Sequence, residues 1–265
     1  MRRAGVQWAV AVLVTLVSAV WQRTTGPTYP ARGAVQIGGH ALSLRLERSH
    51  SINSRQPVSV RAADAAVAGV VEWRRYPGNE PFATEPLVRR GDLLEALLPP
   101  APMPLMPAAG KLEYRVVLAR GAERVAFPDR PTITRFKGDV PAWILIPHIT
   151  AMFFGMLFSN RAALAALAGG DTRRPGRLTL LMLAFGGFVL GPIVQKLAFG
   201  AYWTGIPWGY DLTDNKTLIA TAAWAIAGSQ LRGGRPARWA VTAAGLVTLV
   251  VFAIPHSVWG SEVRW

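Results

Sequence analysis

Apolar residues are distributed unevenly along this chain. Five windows are almost free of charge: Gly5 to Trp21, and about 142–159, 178–199, 214–231 and 239–258. Each approaches the roughly 20 residues that a helix needs to cross about 30 Å of hydrocarbon. The stretch between the first and second windows has another rhythm. Leu42-Ser43-Leu44-Arg45-Leu46 alternates apolar and polar positions, as do Val58-Ser59-Val60, Val71-Glu72-Trp73 and Tyr114-Arg115-Val116-Val117-Leu118. Ile133 and Phe136 mark a last strand, and Pro and Gly cluster between the runs. Period two turns one face of each strand toward a core, so this block predicts an antiparallel all-β sandwich. The pattern thus predicts a membrane α-helical protein with about five transmembrane helices and one extracytoplasmic β domain. Its expected boundaries are an anchor at 1–23, a β domain at 24–140 and a four-helix membrane domain at 141–265.

Charge gives this plan a direction. The formal net charge is +14, mostly from arginine. The arginines form no stripe with interleaved aromatics and no nucleic-acid motif appears, which argues against a nucleic-acid partner. Outside the β block most of them gather in alternate connections. Arg2 and Arg3 precede the first span. Arg161, Arg173, Arg174 and Arg177 follow the second, and Arg232, Arg235 and Arg238 follow the fourth. The positive-inside rule makes that side cytoplasmic. The β domain, the loop 200–213 and the C-terminus are then expected in the periplasm, and the chain is expected in a bacterial inner membrane. Trp21, Trp143, Trp203, Trp208 and Trp259 fall at outer helix ends, and Trp8 and Trp239 at inner ones, where indoles anchor helices. The first run follows Met1-Arg2-Arg3 and ends Ser18-Ala19-Val20-Trp21-Gln22-Arg23, with no small-x-small cleavage site. It reads as an uncleaved anchor. The chain has no cysteine, which excludes disulfides, thiolate metal sites and cysteine nucleophiles.

Candidate chemistry lies on the expected outer face. Ile146-Pro147-His148 near the start of the second span is repeated as Ile254-Pro255-His256 near the end of the fifth. An ionisable residue within a span is a functional candidate. His148 and His256 are candidate axial ligands of a haem, or candidate ligands of a metal ion shared with Asp211 or Asp214. The alternative is that each histidine bonds a backbone carbonyl, since each follows a proline that removes a helical hydrogen bond. The loop from Tyr202 to Lys216 is the second feature. Tyr202, Trp203, Trp208, Tyr210 and Lys216 are candidate contacts for a lipid headgroup, quinone or partner subunit. Asp211 and Thr213 are candidate N-caps of the following helix, and Lys216 is placed to pair with either aspartate. Gly186-Gly187 and Gly191-Pro192 in the third span predict close helix contact and a kink. No charged residue falls at the middle of any expected span, which argues against an ion-coupled pump. His40 and His50 read as surface or hydrogen-bonding histidines. Pro99-Pro100-Ala101-Pro102-Met103-Pro104 reads as a stiff connector or a docking loop.

One stretch of the β block resembles immunoglobulin-like or fibronectin-like modules of bacterial extracytoplasmic proteins. It comprises Glu72-Trp73-Arg74-Arg75-Tyr76, Leu94-Glu95-Ala96-Leu97-Leu98-Pro99 and Pro107-Ala108-Ala109-Gly110-Lys111-Leu112-Glu113-Tyr114. The resemblance implies a fold and no activity. A second resemblance rests on Phe136-Lys137-Gly138-Asp139-Val140-Pro141, on Ile146-Pro147-His148 and on the loop Tyr202 to Lys216. These segments resemble an uncharacterised group of bacterial inner-membrane proteins that join one anchor and a periplasmic sandwich to a four-helix membrane part. It implies architecture and leaves activity open. The expectation drawn is a non-enzymatic accessory or scaffold subunit that contacts other membrane-protein subunits and lipid, in an assembly such as a respiratory or photosynthetic one. The alternatives are a haem- or metal-binding redox protein and, third, an enzyme acting on a lipid-linked substrate.

Overall fold

The computed structural model describes residues 2–99, 110–232 and 237–255. His256, Trp259, Arg235 and the proline-rich segment from Pro100 onward lie outside the described residues. The chain divides into two compact units. One is formed mainly by Thr28–Asp139; the other joins residues up to Pro27 to Val140–Leu197 and to the chain from Ala201.

The first unit is β-rich. Its strands are β1 (Ala31–Ile37), β2 (His40–Leu46), β3 (Ser49–Ser51), β4 (Gln56–Arg61), β5 (Ala68–Tyr76), β6 (Ala83–Pro86), β7 (Val88–Arg90), β8 (Leu93–Leu98), β9 (Lys111–Arg120) and β10 (Glu123–Lys137). They form a hairpin β1-β2, a five-stranded sheet ordered β3-β10-β9-β5-β6 and a three-stranded sheet ordered β4-β8-β7. Alternate residues face inward, as in β4 and β9. Val35, Ile37, Leu44, Leu46, Val58, Val60, Leu94, Leu98, Val116 and Leu118 therefore meet in one core shared by all three sheets. One pairing departs from the antiparallel expectation: β3 runs parallel to the end of β10. β3 is only three residues long and sits at the sheet edge, so it borders the unit rather than building it.

The core also contains a polar knot. Gln56 is fully buried. Its Nε2 donates to the Glu47 carbonyl at 2.9 Å and to the Tyr114 hydroxyl at 3.1 Å. Its Oε1 accepts from Thr134 Oγ1 at 2.6 Å, and the Tyr114 hydroxyl donates to the Glu47 carbonyl at 2.6 Å. Burial raises the Tyr114 phenol well above its ordinary pKa.

The second unit is helical: α1 (Arg2–Thr25), α2 (Ala142–Leu167), α3 (Arg173–Ala184), α4 (Gly191–Phe199), α5 (Leu212–Arg232) and α6 (Arg238–Ala253). A π segment, Phe185–Leu190, joins α3 to α4, so Arg173–Phe199 is one continuous helical rod. Among the described residues three helices are long and apolar enough to cross a membrane: Ala4–Thr25, Ala142–Leu167 and Arg173–Phe199. α6 is a shorter apolar helix. α5 is diluted by Asp214, Asn215 and Lys216 near its start and by Gln230 and Arg232 at its end. α2 packs on α1, α3 and α6, and α5 packs on α3 and α6. Met156, Ala162, Leu183, Trp224, Val241 and Phe252 contribute to the shared core. α2 continues eight residues past the expected end of the second span and carries Arg161 inside the helix, not in a loop. The run Ala162-Ala163-Leu164-Ala165-Ala166-Leu167 consists of strong helix formers, so one arginine does not stop it.

Candidate functional site

The π segment is the meeting point of three helices. Gly186 and Gly187 are buried in it. A Cβ on Gly187 would lie 2.3 Å from the Thr217 methyl of α5, and one on Gly186 would lie 2.9 Å from the Ala151 Cβ of α2. Only glycine permits that approach. The wider turn also fits Pro192, which has no N–H to give the preceding carbonyls. The Gly191 N–H bonds to Gly186 O, five residues back.

The same Gly186 carbonyl accepts a hydrogen bond from His148 Nδ1 at 2.9 Å. A carbonyl only accepts, so Nδ1 is the donor, and in the neutral imidazole Nε2 keeps its lone pair. His148 is half-buried. The expected histidine–carbonyl bond is therefore present, but its partner lies on a neighbouring helix and not on the turn that Pro147 disrupts.

The aromatic loop is folded around one carboxylate. Asp214 Oδ2 accepts from the Thr204 N–H at 2.6 Å, the Gly205 N–H at 3.0 Å and Gln195 Nε2 at 3.1 Å. Gln195 also donates to Thr204 Oγ1 at 2.7 Å, and Asn215 Oδ1 accepts from the Ile206 N–H at 2.8 Å. Gly205 fits because a Cβ there would fall 2.6 Å from the Asp214 Cβ. Asp211 Oδ1 accepts from the Thr213 N–H at 2.7 Å and the Asp214 N–H at 3.3 Å, which makes Asp211 the N-cap of α5. Thr213 plays no capping part; its carbonyl accepts from Thr217.

The pinned loop displays its aromatics. Tyr202 is 61% exposed, Trp208 79% and Tyr210 90%. Trp203 is held down: its ring stacks on Phe188 at 5.4 Å and its Nε1 donates to the Ile206 carbonyl. Lys196 sits 5.5 Å from the Tyr202 ring centre.

Lys216 is 1% exposed, the opposite of a rim contact. Its Nζ donates to Ile254 O at 2.6 Å and lies 3.4 Å from Pro255 O. Gln22 Nε2 donates to Phe252 O at 2.9 Å and Trp21 Nε1 to Ala253 O at 3.1 Å. Pro255 cannot extend α6, and these carbonyls lie where a helix runs out of N–H partners. Side chains from α1 and α5 replace the missing donors, and the ammonium also suits the negative end of the helix dipole.

The structure thus brings Asp211, Asp214, Trp203 and Gln195 together, with Lys216 one turn along α5, and sets His148 against the π segment. No group of three metal-capable side chains forms among the described residues. The sequence reading missed two things: the roles of Gln195 and Asn215 as loop anchors, and the carbonyl partners of Lys216. In the segment Phe136–Pro141, Asp139 Oδ2 accepts from Asn53 Nδ2 at 2.8 Å and Ser51 Oγ at 2.9 Å. These bonds hold the Asp139 carboxyl below the usual carboxylate range. His50 bonds Ser54 Oγ and sets its ring edge-on to Phe136. No protein-family model, curated protein or solved structure matches the chain.

Proposed function

We propose that this chain is a non-enzymatic accessory or scaffold subunit of a larger membrane complex. On this reading all five apolar segments cross a bacterial inner membrane with their arginine-bearing ends in the cytoplasm. The β unit is then an immunoglobulin- or fibronectin-like periplasmic sandwich. One observation carries the reading: the loop is locked by Asp214 yet leaves Tyr202, Trp208 and Tyr210 bare. Rigid, exposed aromatics give contact area at small entropic cost, which is what protein-docking surfaces use. Asp214 is engaged in pinning the loop, Asp211 in capping α5 and Lys216 in holding the end of α6. An energy-transducing assembly, respiratory or photosynthetic, is the first kind to examine.

The test is mild-detergent purification of the full chain from its own host. Partner proteins that co-purify with the wild type are expected to dissociate from Trp208→Ser/Tyr210→Ser and from a chain lacking residues 28–137 that keeps α1. An unchanged partner set in both variants overturns the proposal.

A second reading is favoured by His148. With Nδ1 bonded to a carbonyl, Nε2 is oriented as in a ligating histidine, and His256 would supply another ligand to a haem or metal. It expects a Soret band or stoichiometric metal that is lost in His148→Ala. A colourless, metal-free protein removes it.

A further inference from the structure

Arg161 is in an unusual position at the other end of the helices. It lies in α2, six residues before the helix ends at Leu167, or about 9 Å along the axis. Its Nε and Nη1 are buried and have no hydrogen-bond partner. The guanidinium rests over the Trp8 ring of α1, 5.5 Å from its centre. A cation–π contact stabilises the charge but satisfies none of its N–H donors. A permanently charged guanidinium with orphaned donors is costly in a low-dielectric setting, so an anion from outside the chain is expected to complete it.

The surroundings favour a lipid. Towards the start of α2 from Arg161, Phe158 and Phe154 stack along the same face of the helix, and Phe158 meets Trp8 edge-on. Phe154 and Trp8 are both 40% exposed. This aromatic strip is apolar and fits an acyl chain. On the other side the residues are basic. Arg173, Arg174 and Arg177 open α3, and Arg238 opens α6 with its Nη2 donating to Leu167 O. Asp171, in the same α2–α3 connection, has its carboxylate engaged by the Arg173 N–H. An arginine about two turns inside a span reaches the headgroup layer by extending its side chain, and an indole anchors at the same depth.

We propose that Arg161 and Trp8 form a site for a phosphate-bearing anionic lipid, with the phosphate on the guanidinium and one acyl chain along Phe158 and Phe154. The guanidinium turns off the indole plane to meet the phosphate. The site stands apart from the aromatic loop and does not depend on the docking role.

The test uses the full chain in detergent micelles and native mass spectrometry. Phosphatidylglycerol and phosphatidylcholine compete in equal amounts, and in a parallel arm inorganic phosphate is added to the protein loaded with phosphatidylglycerol. The wild type is expected to retain one phosphatidylglycerol in preference to phosphatidylcholine. Arg161→Gln should weaken that retention about tenfold, the worth of one charged hydrogen bond. Arg161→Lys should keep the preference in part, and Arg177→Gln should leave it intact. Inorganic phosphate alone should not compete; full displacement by it would mean a free-anion site and overturn the lipid assignment. Equal retention of the two lipids by the wild type overturns the proposal even if Arg161→Gln fails to fold. Equal losses in Arg161→Gln and Arg177→Gln would mean only a diffuse basic surface, and overturn it as well.

Discussion

Gln56 shows how one polar side chain is accommodated in an apolar β core. Its amide supplies both donor and acceptor, and each finds a partner in Glu47, Tyr114 or Thr134. Gln56→Leu would leave the Thr134 hydroxyl without its acceptor and take a donor from Tyr114. The expected loss is about 1–3 kcal/mol, measured by urea unfolding of the full chain followed through tryptophan fluorescence. A change below about half a kcal/mol would mean that the knot adds nothing beyond packing. Asp139 gives a pH signature of defined sign. Its folded pKa lies below the unfolded value of about 3.9, because Asn53 and Ser51 donate to the ionised form. Its contribution is therefore fully present above about pH 4 and is lost as pH falls through the folded value. Asn53→Ala should raise the Asp139 pKa towards the ordinary value, as read by carboxyl NMR titration. None of this was visible in the sequence. Gln56 falls between Arg55 and Pro57, with nothing to mark it as buried, and its partners are 9 to 78 residues away.

At the scale of elements, legibility followed length and period. β2, β4 and β9 repeat their alternation often enough to be read, whereas β5 alternates only over Val71-Glu72-Trp73. β3 and β7 have three residues each, too few to show any period. The end of α2 was misplaced because Arg161 looked like a boundary, although a long basic side chain can remain helical while its charge seeks the interface. The Asp211 cap was legible because capping is local, within three residues of chain. The seat of Lys216 was not: its acceptor is a backbone carbonyl 38 residues away, which leaves no side-chain signature. Lys216→Met keeps the bulk and removes the donor. It should destabilise the helical unit by about 2 kcal/mol, seen as a lower thermal midpoint in detergent. Gly187→Leu should be worse, since its side chain must displace Thr217 of α5. An unchanged midpoint in Gly187→Leu would refute the close contact at the π segment.

At the scale of the whole molecule, the helical unit is discontinuous in sequence: α1 precedes the β unit and its helical partners follow it. Buried Asn160 Nδ2 of α2 donates to Thr15 Oγ1 of α1 at 3.0 Å. The chain has no native cysteine, so a single engineered pair gives a clean readout. Thr15→Cys with Asn160→Cys should cross-link on mild oxidation of the membrane-embedded protein. Failure to cross-link would place α1 elsewhere. The bonds from Trp21 and Gln22 to the end of α6 span 232 and 230 residues. During synthesis, α1 enters the membrane long before those carbonyls exist. Its C-terminal end stays unfastened until α6 has been made, so a chain interrupted before Phe252 has a first helix held by α2 alone. The latch therefore distinguishes a finished molecule from an unfinished one, and a protease that recognises frayed helix ends would read that difference directly.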